Sequence, residues 1–238
     1  GPALASGLTI LFLFWTITSL SKKILAKQDQ DLNRQHILQI VGAGVIGSLS
    51  FAFSDSFWFS AVETEVYAMS SLCTAVVFWL ILKWESRERE QRSDKWLVLI
   101  AFVMGLSIGI HLLNLLTIPV LALVIYFKRT NQVTMKGLTK AVAWSFLVLA
   151  LILWGLVQYL IKIAAYFDLF FVNQLGLSFG SGICFFFVLF IAAIVYTIRY
   201  SIRKNKAKLN LLLICFCFIL FGYSSFAMVF IRGIANPS

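Results

Sequence analysis

Long uncharged runs alternate with short charged segments along the whole chain. A helix rises about 1.5 Å per residue and a bilayer's hydrocarbon core is about 30 Å thick, so one crossing takes roughly 20 residues. Runs at 3–20, 37–54, 66–82, 141–163, 183–200 and 209–230 come close to that length or reach it. The run 96–127 fits neither one span nor two comfortably. As a single helix it would be about 48 Å long, and as two helices broken near 109–114 each arm would be about 24 Å. Charge decides between them. Basic clusters at 22–34, 83–95, 128–140 and 199–208 hold every Lys and Arg except Lys162 and Arg232. With the break, all four clusters fall on one side of the membrane, whereas an unbroken helix splits them evenly. The positive-inside rule selects a short-armed hairpin. The pattern therefore predicts an all-α, polytopic transmembrane bundle of about eight membrane helices, a single membrane domain over 1–238 with both ends on the outer side.

Composition narrows the class. Of 238 residues, 61% are hydrophobic and 13% charged, and mean hydropathy is +0.91. Soluble domains have about 45–50% apolar and about 25% charged residues, so an ordinary soluble enzyme, a disordered chain and a disulfide scaffold are all excluded. The net charge of +10 does not indicate nucleic acid, because the basic residues sit in the short clusters that orient membrane spans. Cys73, Cys184, Cys215 and Cys217 lie within apolar runs, without redox or zinc spacing. Small residues in the second run, Ala43-xxx-Gly47 and Gly44-xxx-Ser48, allow another helix to approach closely. Trp84 and Trp96 are expected at the inner interface and Trp58 at the outer one. The chain starts almost directly in a span and stops just after one, and reads as a fragment of a longer protein.

Candidate chemistry gathers on the outer side. Asp55, Glu63 and Glu65 flank an aromatic stretch, Phe57-Trp58-Phe59, between the second and third spans. Two carboxylates close in sequence could supply a general base or, with a third acidic group, oxygen ligands for a divalent cation, although nothing in the sequence requires one. Ser60-x-x-Glu63 also reads as a capping box opening the third helix, which would account for Glu63. Glu65 has no such account beyond the helix dipole and is the stronger functional candidate. Asp55 either contributes to this site or simply ends the second span. His111 and Asn114 lie at the turn of the short hairpin, where polar backbone is tolerated only if packed in protein or lining a wet cavity. His111 could meet an anionic head group or act in proton transfer. Alternatively it caps the end of the first arm while Asn114 starts the second. Asp168 and Lys162 flank the start of a third outer loop, and Arg232 closes the last span, suited either to a lipid phosphate or to interface anchoring.

Three segments carry a resemblance. Ser54 to Ala68 (SDSFWFSAVETEVYA), Gly105 to Asn114 (GLSIGIHLLN), and Gly222-Tyr223-Ser224-Ser225 followed by Arg232 to Pro237 (RGIANP) resemble the bacterial family known as domain of unknown function 2723. That family is related to a eukaryotic protein O-mannosyltransferase and falls in the GT-C glycosyltransferase superfamily. The resemblance implies a membrane-embedded transferase that passes a sugar from a polyprenyl-phosphate donor to a protein hydroxyl on the outer face. It further implies residence in a bacterial inner membrane, with the acidic loops on the periplasmic side. In such enzymes an acidic residue of the first outer loop acts as the base, in a segment upstream of Gly1. No residue here is therefore assigned that role, and the fragment alone is expected to be inactive. Glu63, Glu65 and Tyr67 match the family's second acidic loop, and His111 and Asn114 its hairpin turn.

The resulting expectation is a glycosyltransferase core with Glu65 and Glu63 as the acidic pair. His111, Asn114, Tyr67, Trp58, Asp55 and Arg232 would bind substrate, and the partners would be the bilayer, a polyprenyl-phosphate sugar and a protein acceptor, with no nucleic acid. A transporter or flippase is the alternative, because a broken hairpin at membrane depth also marks transport sites. A non-catalytic assembly subunit is the third reading.

Overall fold

The computed structural model describes residues 1–26, 33–63, 66–87, 93–130, 132–226 and 232, and among them every regular element is helical. Seven helices in the described residues are long and apolar enough to cross a membrane. The protein is an all-α, polytopic integral membrane protein. The count falls one short of the eight expected because the first arm of the broken run is only 15 residues long.

Contacts divide the chain into two compact units, 1–117 with 218–238, and 118–217. In the first unit, α1 (Pro2–Ala26) packs against both α2 (Arg34–Ala52) and α4 (Tyr67–Arg87), and α4 also packs against α5 (Asp94–Ile108). A short helix, α3 (Asp55–Val62), joins α2 to α4 and touches α1, α2 and α4. Lipid tails are as apolar as leucine, so these helices associate through close packing rather than through escape from water. The small residues of α2 serve that end. Ser48 and Gly44 are buried, and a Cβ on Gly44 would lie 2.6 Å from Thr18 and 2.8 Å from Phe14 of α1. Ala43, by contrast, is exposed.

On α4 the buried residues Cys73, Val77, Leu80, Ile81 and Trp84 follow the i, i+4, i+7, i+8, i+11 spacing of one helix face, with Ala68 and Ser70 buried at its start. Trp84, read as an interface residue, is 0% exposed. Helical register places it on the face of Val77 and Leu80, and that outweighs the preference of tryptophan for interfaces. Trp96 has the Arg87 guanidinium and the Lys95 ammonium over its ring. Lys23 of α1 pairs with Glu85 of α4. The starts of the first two basic clusters therefore lie at the same end of the unit, as the charge pattern requires.

The break in the run 96–127 is a built feature. After α5 come a turn at Gly109–Ile110, a 3-10 turn over Leu112–Leu116, and α6 (Thr117–Arg129). Pro119 stands in the first turn of α6. It has no N–H to give Leu115, and its ring opposes a regular helix through that carbonyl. Proline thus helps to end the preceding geometry as well as being tolerated in the helix.

In the second unit, α7 (Met135–Ala150), a π-helical stretch (Leu151–Tyr159) and α8 (Leu160–Leu175) run on without interruption. The 41 residues amount to about 60 Å, twice the hydrocarbon thickness. The outer loop expected after 163 is therefore mostly helix. Bilayer thickness set the expected end, but no helix breaker occurs before Gly176, which takes the left-handed conformation (φ 65°) that ends helices. α9 (Ser181–Arg203) packs back on α8, and α10 (Ala207–Ser224) follows, its residues from 218 onward belonging to the first unit.

Candidate functional site

One end of the first unit collects α3, the start of α4 and the 3-10 turn. Asp55 is the first residue of α3, where its charge complements the helix dipole. It opens this helix rather than closing α2. The capping box is not formed, because Ser60 lies inside α3 and its hydroxyl donates to the Ser56 carbonyl. Glu63 instead follows the last residue of α3, its backbone N–H donating to the Phe59 carbonyl and its side chain exposed. A carboxylate at that end opposes the dipole, so the helix gives no reason for an acid there. Trp58 is 56% exposed and stacks on Phe53 at 6.3 Å between ring centroids, whereas Phe57 is buried against Phe51. Glu65 lies outside the described residues.

Tyr67 opens α4 with 44% of its surface exposed, and its ring lies 5.7 Å from the His111 imidazole. This contact brings the 3-10 turn beside the segment that carries the carboxylates, four residues after Glu63. His111 is fixed from two directions. Its backbone N–H donates to the Ser107 carbonyl at 2.7 Å, and its Nδ1 accepts the Leu113 N–H at 3.1 Å. The imidazole therefore caps the start of the 3-10 turn, in place of the expected capping of carbonyls at the end of the first arm.

Asn114 is 0% exposed, and its Nδ2 donates to Ser107 Oγ at 2.8 Å. It was expected to touch substrate, but it lies inside the turn and ties that turn to α5. Arg232 is exposed, and the residues on either side of it lie outside the described set. Among the described residues no group of three His, Cys, Asp or Glu side chains could hold a metal ion.

Two contributions went unread in the sequence. Ser107 is fully buried and holds both His111 and Asn114. The signal was two polar residues seven apart, flanking a glycine and a histidine in an apolar run. Gly222, part of the third motif, has a packing role as well. A Cβ there would lie 2.5 Å from the Phe102 carbonyl oxygen and 2.6 Å from the Leu106 amide nitrogen, and one on Gly105 would meet the Ile219 carbonyl. The end of α10 and α5 thus cross backbone to backbone, which only glycine permits. Gly109 lies against Phe226 at the same turn, 3.1 Å from a Cβ built on the glycine to that of the phenylalanine.

The second unit has a polar junction of its own. Asp168, expected in a loop, sits within α8 at 4% exposure. Its carboxylate accepts the Gly180 N–H at 3.0 and 3.1 Å and the Gly182 N–H at 3.0 Å, closing the turn between α8 and α9.

These features define a polytopic helical membrane protein with an aromatic and acidic patch beside a histidine-bearing helix break. The chain belongs to the family of the protein O-mannosyl-transferase TMEM260 N-terminal domain, whose family model matches residues 2–134. It is thus a member of a glycosyltransferase-like family. The matched residues include Asp55, Trp58, Glu63, Glu65, Tyr67, His111 and Asn114, and they exclude Lys162, Asp168 and the Gly222 and Arg232 segments that contributed to the resemblance. No curated protein and no solved structure matches the chain.

Proposed function

We propose that this chain is the membrane-embedded core of a GT-C-type transferase that moves a sugar from a polyprenyl-phosphate donor to a protein hydroxyl on the outer face of a bacterial inner membrane. In this reading the run 96–127 folds back as a hairpin. Glu65, with Glu63, orients the acceptor or organises charge, while Tyr67, Trp58 and Asp55 line the approach. His111 and Arg232 meet the donor phosphate. The catalytic base belongs to a segment upstream of Gly1.

The observation that carries the reading is the contact between Tyr67 and His111, which joins the acidic segment to the helix break within the part of the chain matched by the O-mannosyltransferase family. A cation or N–H donor beside a carboxylate-bearing segment suits a reaction in which a phosphate leaves and a hydroxyl attacks. Stacking rings suit a sugar. The test uses the full-length protein in nanodiscs with polyprenyl-phosphate mannose and an acceptor protein. His111→Ala and Glu65→Gln are each expected to lower transfer at least tenfold, about 1.4 kcal/mol of transition-state stabilisation. Near-parental rates for both variants would remove these residues from the site. Substrate flux across proteoliposomes without covalent transfer would favour a transporter instead.

A further inference from the structure

We infer that Ser107 and Asn114 are positioning residues that hold the His111 imidazole as an Nε2–H donor toward an anionic oxygen of the sugar donor, an inference that rests on the role proposed above for His111. Leu113 N–H donates to His111 Nδ1, so Nδ1 must present a lone pair and the neutral ring carries its proton on Nε2. In that state Nε2 gives a hydrogen bond and cannot take a proton, so His111 serves as a donor to phosphate rather than as a base.

The bracket behind the ring has an economical design. Ser107 offers its carbonyl to the backbone N–H groups of Ile110 and His111, and its hydroxyl oxygen to Asn114. The one hydroxyl proton of Ser107 goes to the Met104 carbonyl at 2.7 Å, so Oγ can only accept from Asn114. That fixes the orientation of the amide. The Asn114 backbone carbonyl in turn takes the Thr117 hydroxyl at 2.7 Å.

One atom is left over. Asn114 Oδ1 is buried and has no hydrogen-bond partner among the described residues, a costly state for a carbonyl oxygen. Leucine has a similar volume and would leave no buried donor stranded, because the Ser107 proton stays with Met104. An asparagine that the fold would be no less stable without is what a functional constraint leaves behind. Here the constraint is the placement of His111.

Asn114→Leu in the full-length protein separates placement from stability. The expected result has three parts: a melting temperature unchanged within roughly two degrees, a changed 15N tautomer signature of His111, and a KM for polyprenyl-phosphate mannose raised roughly tenfold, as small misplacements of a binding group do. Residues 1–238 contain two histidines, His36 and His111, and the signal lost in His111→Gln identifies the His111 ring among those labelled. If Asn114→Leu does not fold, Ser107→Ala tests placement through the signature and the KM alone, since it leaves the backbone carbonyl in place but strands Nδ2 and so lowers the melting temperature. A parental His111 signature together with a parental KM in whichever variant folds overturns the inference. A shifted signature with unchanged KM also overturns it where His111→Ala does raise the KM, because the ring's placement by the bracket then makes no difference to the substrate. If His111→Ala leaves the donor KM unchanged while the signature still responds to Asn114→Leu, the bracket stands and it is the proposed role of His111 that fails.

Discussion

The two polar turns, 109–117 in the first unit and 176–180 in the second, solve the same problem differently. Each interrupts apolar helices, and each must satisfy backbone groups that a lipid environment cannot. At 176–180 a side chain serves the backbone, while the Ser181 hydroxyl stays buried without a hydrogen-bond partner among the described residues. One buried carboxylate takes the N–H groups of Gly180 and Gly182, with the glycine at 176 in the left-handed region. A Cβ on Gly182 would lie 2.5 Å from the Asp168 Cα, so the helices meet with no room for anything else. At 109–117 a half-buried imidazole and a buried amide do the work, and among the described residues His111 Nε2 makes no hydrogen bond and Asn114 Oδ1 has no partner. Each junction leaves one buried oxygen without a partner among the described residues, so what sets the first apart is the half-buried imidazole that it presents and the second lacks.

The comparison is sharpest at Asp168. Asp168→Ala removes a charged acceptor and strands the Gly182 N–H in a buried position. It should cost about 2–4 kcal/mol of stability, read as a large drop in melting temperature in nanodiscs, with transfer per folded molecule unchanged. Asp168→Asn keeps one acceptor oxygen and should lose about half as much. If either variant lowers transfer while its stability holds, the second turn is no mere closure and the contrast collapses.

His111→Ala should give the reverse profile. The variant loses one capping hydrogen bond, from Leu113, at the start of a 3-10 turn, so the stability cost should be about 0.5–1 kcal/mol, well below that of Asp168→Ala. Thermal unfolding of the two variants side by side checks the ranking. A loss at His111 equal to that at Asp168 would mean that the first turn also depends on its ring for structure.

How much of this was legible in the sequence follows from what each signal measures. Hydropathy and charge clustering measure lipid exposure and sidedness, and they gave the all-helical membrane class and the position of the break at Gly109. They carry little information about where a helix stops once it leaves the bilayer, so α8 ran through the expected loop to Leu175. Side-chain register likewise escaped them, which is why Trp84 is buried. Within the site, His111 could be picked out because a lone imidazole in an apolar run is conspicuous. Ser107 could not, since its role depends on Asn114 returning over the turn, a contact between residues that a helix drawn through them would not predict. The reading of Glu63 as a cap failed for a related reason: α3 occupies the residues expected to be a loop, so the cap motif starts in mid-helix.

Glu63 gives the smallest expected effect on the fold and the most informative control for the comparison. Its side chain is exposed and makes no hydrogen bond among the described residues, and its charge sits at the end of α3 that disfavours an acid. Glu63→Gln keeps the volume and removes only the charge, so thermal unfolding should show a melting temperature equal to the parent's or slightly above it. Transfer should fall severalfold if the charge helps to organise the acceptor. That combination would group Glu63 with His111, among residues the fold does not need. A fall in stability instead would imply a structural partner for the carboxylate, grouping Glu63 with Asp168 and leaving the acidic role at this end of the unit to Glu65 and Asp55.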